Sequence, residues 1–262
     1  MSKKLNDLNG KEWVKSTKSW FILDGKTRGK DVIKHPGKFP EELAEKLILF
    51  FSKKGDVVLD MFSGTGSTGV ACDRTDREYF GIEISDDFNN IARERIHNGV
   101  VISGDSRKKE TYDSWGEIDF ILTSPPYWNM LNKKRGNSKS QHSERKKKGL
   151  QLNYTDSEND LGNINDYNRF LEELQKVFTH AYKKLKNKKY MVVVLQNFRD
   201  KDRGYTTLAW DIVPYIEKIG FSFEGEQLWL QDNKMLGIWG YPTTFVSNIH
   251  HHYCLVFRKN EK

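Results

Sequence analysis

Val57-Val58-Leu59-Asp60-Met61-Phe62-Ser63-Gly64-Thr65-Gly66-Ser67-Thr68-Gly69 is the stretch that decides the fold. Its first four residues, apolar and closing on an acid, read as a buried strand. Gly64 and Gly66 then allow a tight turn, and residues 67–74 read as a helix opened by it. The unit repeats downstream. Strands are expected at 78–84, 100–102, 118–123 and 191–195, and helices at 86–97, 165–186 and 206–219. Two more strands, 221–230 and 252–258, have no obvious helix between them and read as an antiparallel hairpin at one edge. Upstream, Pro40 with Glu41 and Glu42 suits the first turn of a helix carrying Leu43, Leu47 and Phe50/Phe51 at helical spacing, which Gly55-Asp56 ends. Residues 1–30 read as an extended lead-in. The alternation predicts an α/β chain: a doubly wound, mostly parallel seven-stranded sheet with an antiparallel edge hairpin.

The chain has 262 residues, enough for one domain spanning 1–262 with an insertion at about 129–163. Lys+Arg number 43 against 36 Asp+Glu, a net charge of +7. That balance favours a polyanionic partner, nucleic acid first, although lysine-rich usage alone would also produce it. Residues 133–148 hold eight Lys/Arg and one acid, Glu144. The two cysteines, Cys72 and Cys254, sit in apolar contexts without metal-ligand spacing and are expected in the core. His250-His251-His252 invites a metal reading. Neighbours in a strand point to opposite faces, however, and no Cys or Asp cluster joins them, so no metal is expected. The sequence has no apolar run of membrane-spanning length and no signal-like start, so a cytoplasmic protein without a membrane partner is expected.

In open parallel sheets, ligands bind at the carboxyl ends of the strands. Asp60 ends the first strand there, and Gly64 and Gly66 permit close approach of a ligand. A side chain at Gly66 is expected to fill that ligand's space. Glu83 ends the next strand about 20 residues on, where an acid accepts hydrogen bonds from ribose hydroxyls. A glycine turn alone suits NAD equally well. Gly64, Gly66 and Gly69 stand at G-x-G-x-x-G spacing, which both cofactors tolerate, and it is a second carboxylate at Asp105 after the third strand that favours S-adenosylmethionine (SAM). After the fourth strand comes Ser124-Pro125-Pro126-Tyr127. The Ser124 hydroxyl and the Pro125 carbonyl are acceptors on a backbone stiffened by two prolines. Tyr127, with Trp128 next to it, offers an aromatic face. Such a corner suits a planar amine. An exocyclic base amine is a poor nucleophile because its lone pair is delocalised into the ring, and oriented acceptors draw it toward tetrahedral geometry.

These motifs carry a resemblance. Asp60 to Thr68 looks like motif I of the SAM-dependent DNA amino-methyltransferases. His35-Pro36-Gly37-Lys38-Phe39-Pro40 is similar to their motif X, Gly81-Ile82-Glu83-Ile84 to motif II, Gly104-Asp105 to motif III and the tetrad to motif IV. The resemblance covers residues 32–130. It implies a Rossmann-like class I methyltransferase fold. It also implies that His35, Pro36, Lys38, Phe39 and Pro40 wrap the methionine end of SAM. The rest of the cofactor falls to Asp60, Phe62, Ser63, Gly64, Thr65, Gly66, Ser67, Glu83, Ile84, Asp105 and Ser106. Ser124, Pro125, Pro126 and Tyr127 are the implied catalytic group, acting on a base flipped out of double-stranded DNA.

A tetrad that begins with Ser is similar to that of enzymes making N4-methylcytosine; Asp or Asn there is usual for N6-methyladenine. The rival readings are an adenine or RNA methyltransferase and a catalytically silent subunit that binds SAM or DNA. A cognate restriction enzyme as partner would suit the family. Many members with this tetrad place it ahead of motifs X and I, the reverse of the order here. No separate target-recognition domain is visible, which leaves the 129–163 insertion and the 232–249 loop as candidates. In that loop Trp239 and Tyr241 are expected to pack against the edge hairpin, stacking on a displaced base being the alternative.

The basic insertion is expected to bind phosphates. Replacing Lys146, Lys147 and Lys148 with Ala should weaken binding to all DNA sequences alike. It should also lower the salt slope by up to roughly 1 for each lysine that neutralises a phosphate. Anisotropy titrations across a salt series measure both quantities, and unchanged values would make the insertion a solvated segment.

Overall fold

In the computed structural model, residues 4–23, 40–130, 160–200 and 202–261 are described. The motif X positions His35, Pro36, Lys38 and Phe39 lie outside them, as do residues 131–159 of the insertion.

The strands alternate with helices as their apolar periods require. Helix α1 is Gly10–Ser16 and strand β1 is Trp20–Ile22. There follow α2 (Glu41–Phe51), β2 (Val57–Asp60), α3 (Ser67–Arg74), β3 (Glu78–Glu83), α4 (Asp86–Arg95), β4 (Gly99–Ser103) and β5 (Ile118–Thr123). After the insertion come α5 (Tyr167–Lys184), β6 (Leu185–Leu195), a small hairpin of β7 (Phe198–Asp200) and β8 (Gly204–Thr206), α6 (Leu208–Asp211), α7 (Val213–Glu217), β9 (Phe221–Leu230) and β10 (His251–Lys259).

The main sheet has eight strands in the order β1-β9-β10-β6-β5-β2-β3-β4. From β4 to β6 all pairings are parallel, and β10 runs antiparallel to both β6 and β9. Alternate residues of each strand feed two cores, one on each face. Val58, Phe120, Val192 and Val194 pack under α2, α3 and α4 with Leu43, Leu47, Ala71 and Ala92. Leu59, Ile121, Met191 and Val193 face α5, α6 and α7 with Phe170, Leu174, Leu208 and Ile216. Cys72 and Cys254 are buried free thiols in the first of these cores.

Four details differ from the sequence expectation. The antiparallel pair is not at the edge: β10 is inserted between β6 and β9, and an eighth strand, β1, covers β9 in parallel register, Trp20 opposite Leu228 and Ile22 opposite Leu230. An uncovered β9 would expose a row of unpaired backbone groups, which β1 satisfies. The lead-in is not wholly extended, because Asn9 and Glu12 form a reciprocal capping box that starts α1. That helix buries no residue, so it carries no apolar period to read. The 206–219 helix is two short helices, because Pro214 has no N–H to continue the ladder. Finally, β6 starts at Leu185 rather than at residue 191.

Arg77 shows how the helices are fastened to the sheet. It is 1% exposed. Its guanidinium donates to the carbonyl of Ser52, the C-cap of α2, at 2.8 Å, to Ser52 Oγ at 3.1 Å and to the Thr75 carbonyl. A cation at a helix C-terminus also complements the helix dipole. Arg77→Met should leave these buried acceptors without a donor and cost about 1–3 kcal/mol. Urea unfolding measures it, and an unchanged midpoint would show that water replaces the guanidinium.

Candidate functional site

Asp60 sits at the carboxyl end of β2, 1% exposed, and three separate elements hydrogen-bond it. The Phe62 N–H donates to Oδ1 at 3.0 Å, shaping the turn. The Thr68 hydroxyl donates to Oδ2 at 2.6 Å, fixing the first turn of α3. The Thr123 hydroxyl, at the end of β5, donates to Oδ1 at 2.8 Å. Thr123 directly precedes Ser124, so one carboxylate joins the glycine turn to the Ser-Pro-Pro-Tyr corner. Burial pushes the Asp60 carboxyl up to about 6, and these three donors pull against that rise.

The turn itself is left-handed at Gly64 (φ 52°) and at Gly66 (φ 81°). Ser63 is held by its N–H on the Ile82 carbonyl, 2.9 Å, and by the Tyr79 hydroxyl on its Oγ, 2.8 Å. Gly81 makes the second contact possible, because a Cβ there would meet the Tyr79 hydroxyl at 2.6 Å. Gly66 plays a different part from the expected one. A Cβ at 66 would run into Ile96 Cδ1 at 2.8 Å and Ala92 Cβ at 3.1 Å. The space above Gly66 therefore belongs to α4 and the residue that follows it. Phe62 packs on the α5 core and Ser67 opens α3.

Glu83, at the end of β3, is 8% exposed. Its two oxygens accept the N–H of Gly64 at 2.7 Å and the N–H of Ser85 at 2.8 Å. Half-buried Ile84 links it to the Ser85 cap of α4. Each carboxylate oxygen retains acceptor capacity beyond these contacts. Asp105 is engaged differently: Arg107 clamps it through Nε at 3.0 Å and Nη2 at 2.7 Å. Burial raises the Asp105 pKa, but the Arg107 bonds outweigh it and hold the carboxyl below its ordinary value. Ser106 donates to the Met61 carbonyl at 2.5 Å, tying β4 to the turn. Arg95 donates to the Thr65 carbonyl and to Glu41, the residue after buried Pro40, so the start of α2 lies against the turn.

At the tetrad, the Ser124 hydroxyl donates to the Val194 carbonyl at 3.0 Å. Its one proton is thereby used, and the Tyr127 hydroxyl is also hydrogen-bonded to Ser124, which leaves one lone pair. Pro125 and Pro126 are buried, and Tyr127 is half-buried. Trp128 departs from the expectation. Its φ of 54° turns it into the core, where it is 5% exposed and packs on Tyr167 and Phe198. The ring near Tyr127 is instead that of His252, 6.2 Å away between centroids, which stacks on Trp229 at 4.4 Å. Burial pushes the His252 pKa down to about 3, and Lys234 and His251 add to the shift, so the imidazole is neutral. Its Nδ1 has no hydrogen-bond partner among the described residues. The sequence raises this residue only as a metal ligand. Its signal is its place at the start of a strand that enters the sheet beside β6. Among the described residues, no group of three or more His, Cys, Asp or Glu side chains could hold a metal ion, and no helix is long and apolar enough to cross a membrane.

A glycine turn after the first parallel strand, an acid ending the next and an antiparallel strand inserted into the sheet define a Rossmann-like methyltransferase fold. TrmN from Thermus thermophilus has it too, with a TM-score of 0.51 at 14% identity over 86% of this chain and 50% of that one. Residues 2–94 match the family described as DNA methylase. The chain is 41% identical over 86 residues to the orphan methyltransferase M.BamHII of Bacillus amyloliquefaciens, covering 32% of each. It is 44% identical over 63 residues to the type II methyltransferase M2.DpnII of Streptococcus pneumoniae, covering 24% of each. The chain thus spans about a third or less of the length of these curated relatives, and over that stretch it is similar to the amino-methylating DNA methyltransferases.

Burial pushes the Glu83 carboxyl from its ordinary 4.5 up to about 7, opposed by the N–H groups of Ser85 and Gly64. The folded protein therefore holds this proton more tightly than the unfolded chain. The resulting stability is fully present below pH 4.5 and is lost as pH rises through about 7. Glu83→Gln, which does not titrate, should flatten the decline across that window even though its amide disturbs one backbone contact. Urea midpoints at several pH values read the slope, and a wild-type slope in the variant would refute the raised pKa.

Proposed function

We propose that the chain transfers a methyl group from SAM to the exocyclic amine of a base flipped out of double-stranded DNA, with cytosine N4 as the target. The observation that carries this is the shared Asp60 carboxylate, which locks the glycine turn and the amine-binding corner into one rigid unit.

The residues present fit the cofactor. The Thr65 hydroxyl is buried in the turn with no partner among the described residues, and the Glu83 carboxylate retains acceptor capacity. In this reading Glu83 takes the ribose hydroxyls, while Ser63, Gly64 and Thr65 shape the floor of the methionine end and Gly66 lets α4 pack behind them. Pro40 borders that end, to which the resemblance also assigns His35, Pro36, Lys38 and Phe39. Phe62, Ser67, Ile84 and Ser106 line or brace the site. Asp105 would reach adenine only in competition with its Arg107 clamp. When bound, SAM supplies a methyl already activated on a sulfonium.

The chain's own work is on the base. Ser124, its proton committed to Val194 and one lone pair engaged by the Tyr127 hydroxyl, presents its remaining lone pair to the amine, and the Pro125 carbonyl presents a second acceptor. Pro126 keeps that carbonyl in place. The two acceptors would hold the nitrogen pyramidal as its lone pair bonds the methyl, the carbon–sulfur bond breaking with its electron pair left on sulfur; they stabilise the positive charge that develops on nitrogen until its extra proton passes to water. Tyr127 stacks on the base, and neutral His252 backs that ring. The Ser at the head of the tetrad favours cytosine; adenine N6 is the rival product of the same geometry. The type II names among the relatives support a restriction–modification setting with a cognate restriction enzyme.

Incubation with labelled SAM and mixed-sequence DNA, followed by nucleoside mass spectrometry, should yield N4-methylcytosine. N6-methyladenine would correct the target, and no product would favour a silent subunit. Ser124→Ala should lower the single-turnover rate by about 10²–10³. Tyr127→Ala removes a stacking face worth roughly 1–3 kcal/mol, and Tyr127→Phe should be mild. SAM affinity, recorded in parallel, should stay near wild type in all three. Near-normal methylation by both alanine variants would remove the tetrad from catalysis.

A further inference from the structure

Between β9 and β10 the chain makes an excursion, residues 231–250, which leaves and re-enters the sheet through the Gln231 N–H on the His250 carbonyl, 2.8 Å. Because β9 runs parallel to β5 and β6, this excursion emerges at the same carboxyl edge as Ser124 and Tyr127. Its root adjoins the tetrad, with His252 beside Tyr127 and the Gln196 amide on the His251 carbonyl at 2.8 Å.

Trp239 and Tyr241, expected from the sequence to pack on the hairpin, do not. Met235 is 93% exposed, Leu236 76%, Ile238 86%, Trp239 52%, Tyr241 83% and Phe245 86%. No charged residue occurs from 235 to 249. An apolar display of this kind marks an interaction site.

It is also built rather than slack. Asn248 bridges the two legs, accepting from the Gly237 N–H at 2.9 Å and donating to its carbonyl at 3.0 Å, and its Oδ1 accepts the Trp239 indole N–H at 3.2 Å. At the tip, the N–H groups of Thr243 and Thr244 both reach the Gly240 carbonyl, at 2.9 and 2.7 Å. The loop's own backbone thus holds these apolar side chains outward.

We propose that residues 235–245 form a wedge that enters duplex DNA, with Tyr241 and Phe245 filling the stack vacated by the extruded base. This rests on the proposed reading that duplex DNA is the substrate. Position selects the occupant. Whatever covers this face must still let a base reach Tyr127, which a duplex lying across the edge does and a second protein seated there would not. Apolar side chains inserted between base steps offset the broken stacking and hold the duplex open. A wedge of this kind also needs no charge of its own, since the phosphates lie outside the stack.

The test uses the full chain and a mixed-sequence duplex. A Tyr241→Ser, Phe245→Ser double variant should keep wild-type SAM affinity and urea midpoint, yet bind duplex about tenfold or more weakly. It should also lose the permanganate reactivity of unstacked thymines that the wild type induces at saturation. Tyr241→Leu with Phe245→Leu, which restores apolar bulk, should recover both. Unchanged duplex affinity and permanganate pattern in the serine variant would overturn the wedge. So would loss of a wild-type self-association by sedimentation with DNA binding intact, which would assign the loop to a second copy of the chain. The two proposals fail separately. A wild type that opens the duplex without methylating it sinks the methyltransferase reading alone, whereas equal single-turnover rates for wild type and serine variant sink the wedge alone.

Discussion

A buried carboxylate with three donors from three elements is the constraint on which the rest depends. Asp60 sits where β2 meets its turn, and without Thr68, Phe62 and Thr123 around it a charge at that depth would be severely penalised. Each donor satisfies the carboxylate and at the same time positions something else: the start of α3, the bend of the glycine turn and the exit of β5. The distance between turn and tetrad is therefore set by hydrogen bonds of 2.6 to 3.0 Å rather than by loops. Transfer between two bound groups is sensitive to such spacing, because small misplacements forfeit much of the benefit of holding reactants together.

Around that centre the site is braced by side chains that touch no ligand in the proposed chemistry. Tyr79 holds Ser63, Ser106 holds Met61, and Arg95 joins the Thr65 carbonyl to the start of α2. Their common feature is that each crosses from one strand or helix to the next. The glycine turn is thereby fixed from β3, β4, α4 and α2 at once. The glycines belong to the same scheme: Gly81 clears the path of the Tyr79 hydroxyl, and Gly66 clears that of Ile96.

The strand–turn–helix units are legible in the sequence because their signals are local. Apolar runs of strand length, glycines at 64 and 66 and a Pro-Pro corner after a buried strand need no partner to be read. Pairing information is not local. Nothing in Trp20-Phe21-Ile22 announces that it lies beside Leu228-Trp229-Leu230 some two hundred positions away, and nothing in residues 251–259 states that the strand enters the interior of the sheet. The same limit explains the site. Asp60, Glu83 and Ser124 stand at strand ends and are readable as such. His252 reaches Tyr127 only through that insertion, and Trp128 turns inward through a backbone conformation that its sequence does not advertise.

The place of β10 also governs the order in which this sheet can be made. It lies between β6 and β9, so neither β9 nor β1 has a partner linking it to the parallel half until His251–Lys259 has been synthesised. On a ribosome the half from β2 to β6 can assemble while β9 waits for the strand that joins it. Such long-range closure is slow, and unpaired edges expose a nascent chain to wrong pairing. A translational pause or a chaperone acting on residues 221–250 would act on the one interval when the outer strands are not yet joined to the rest.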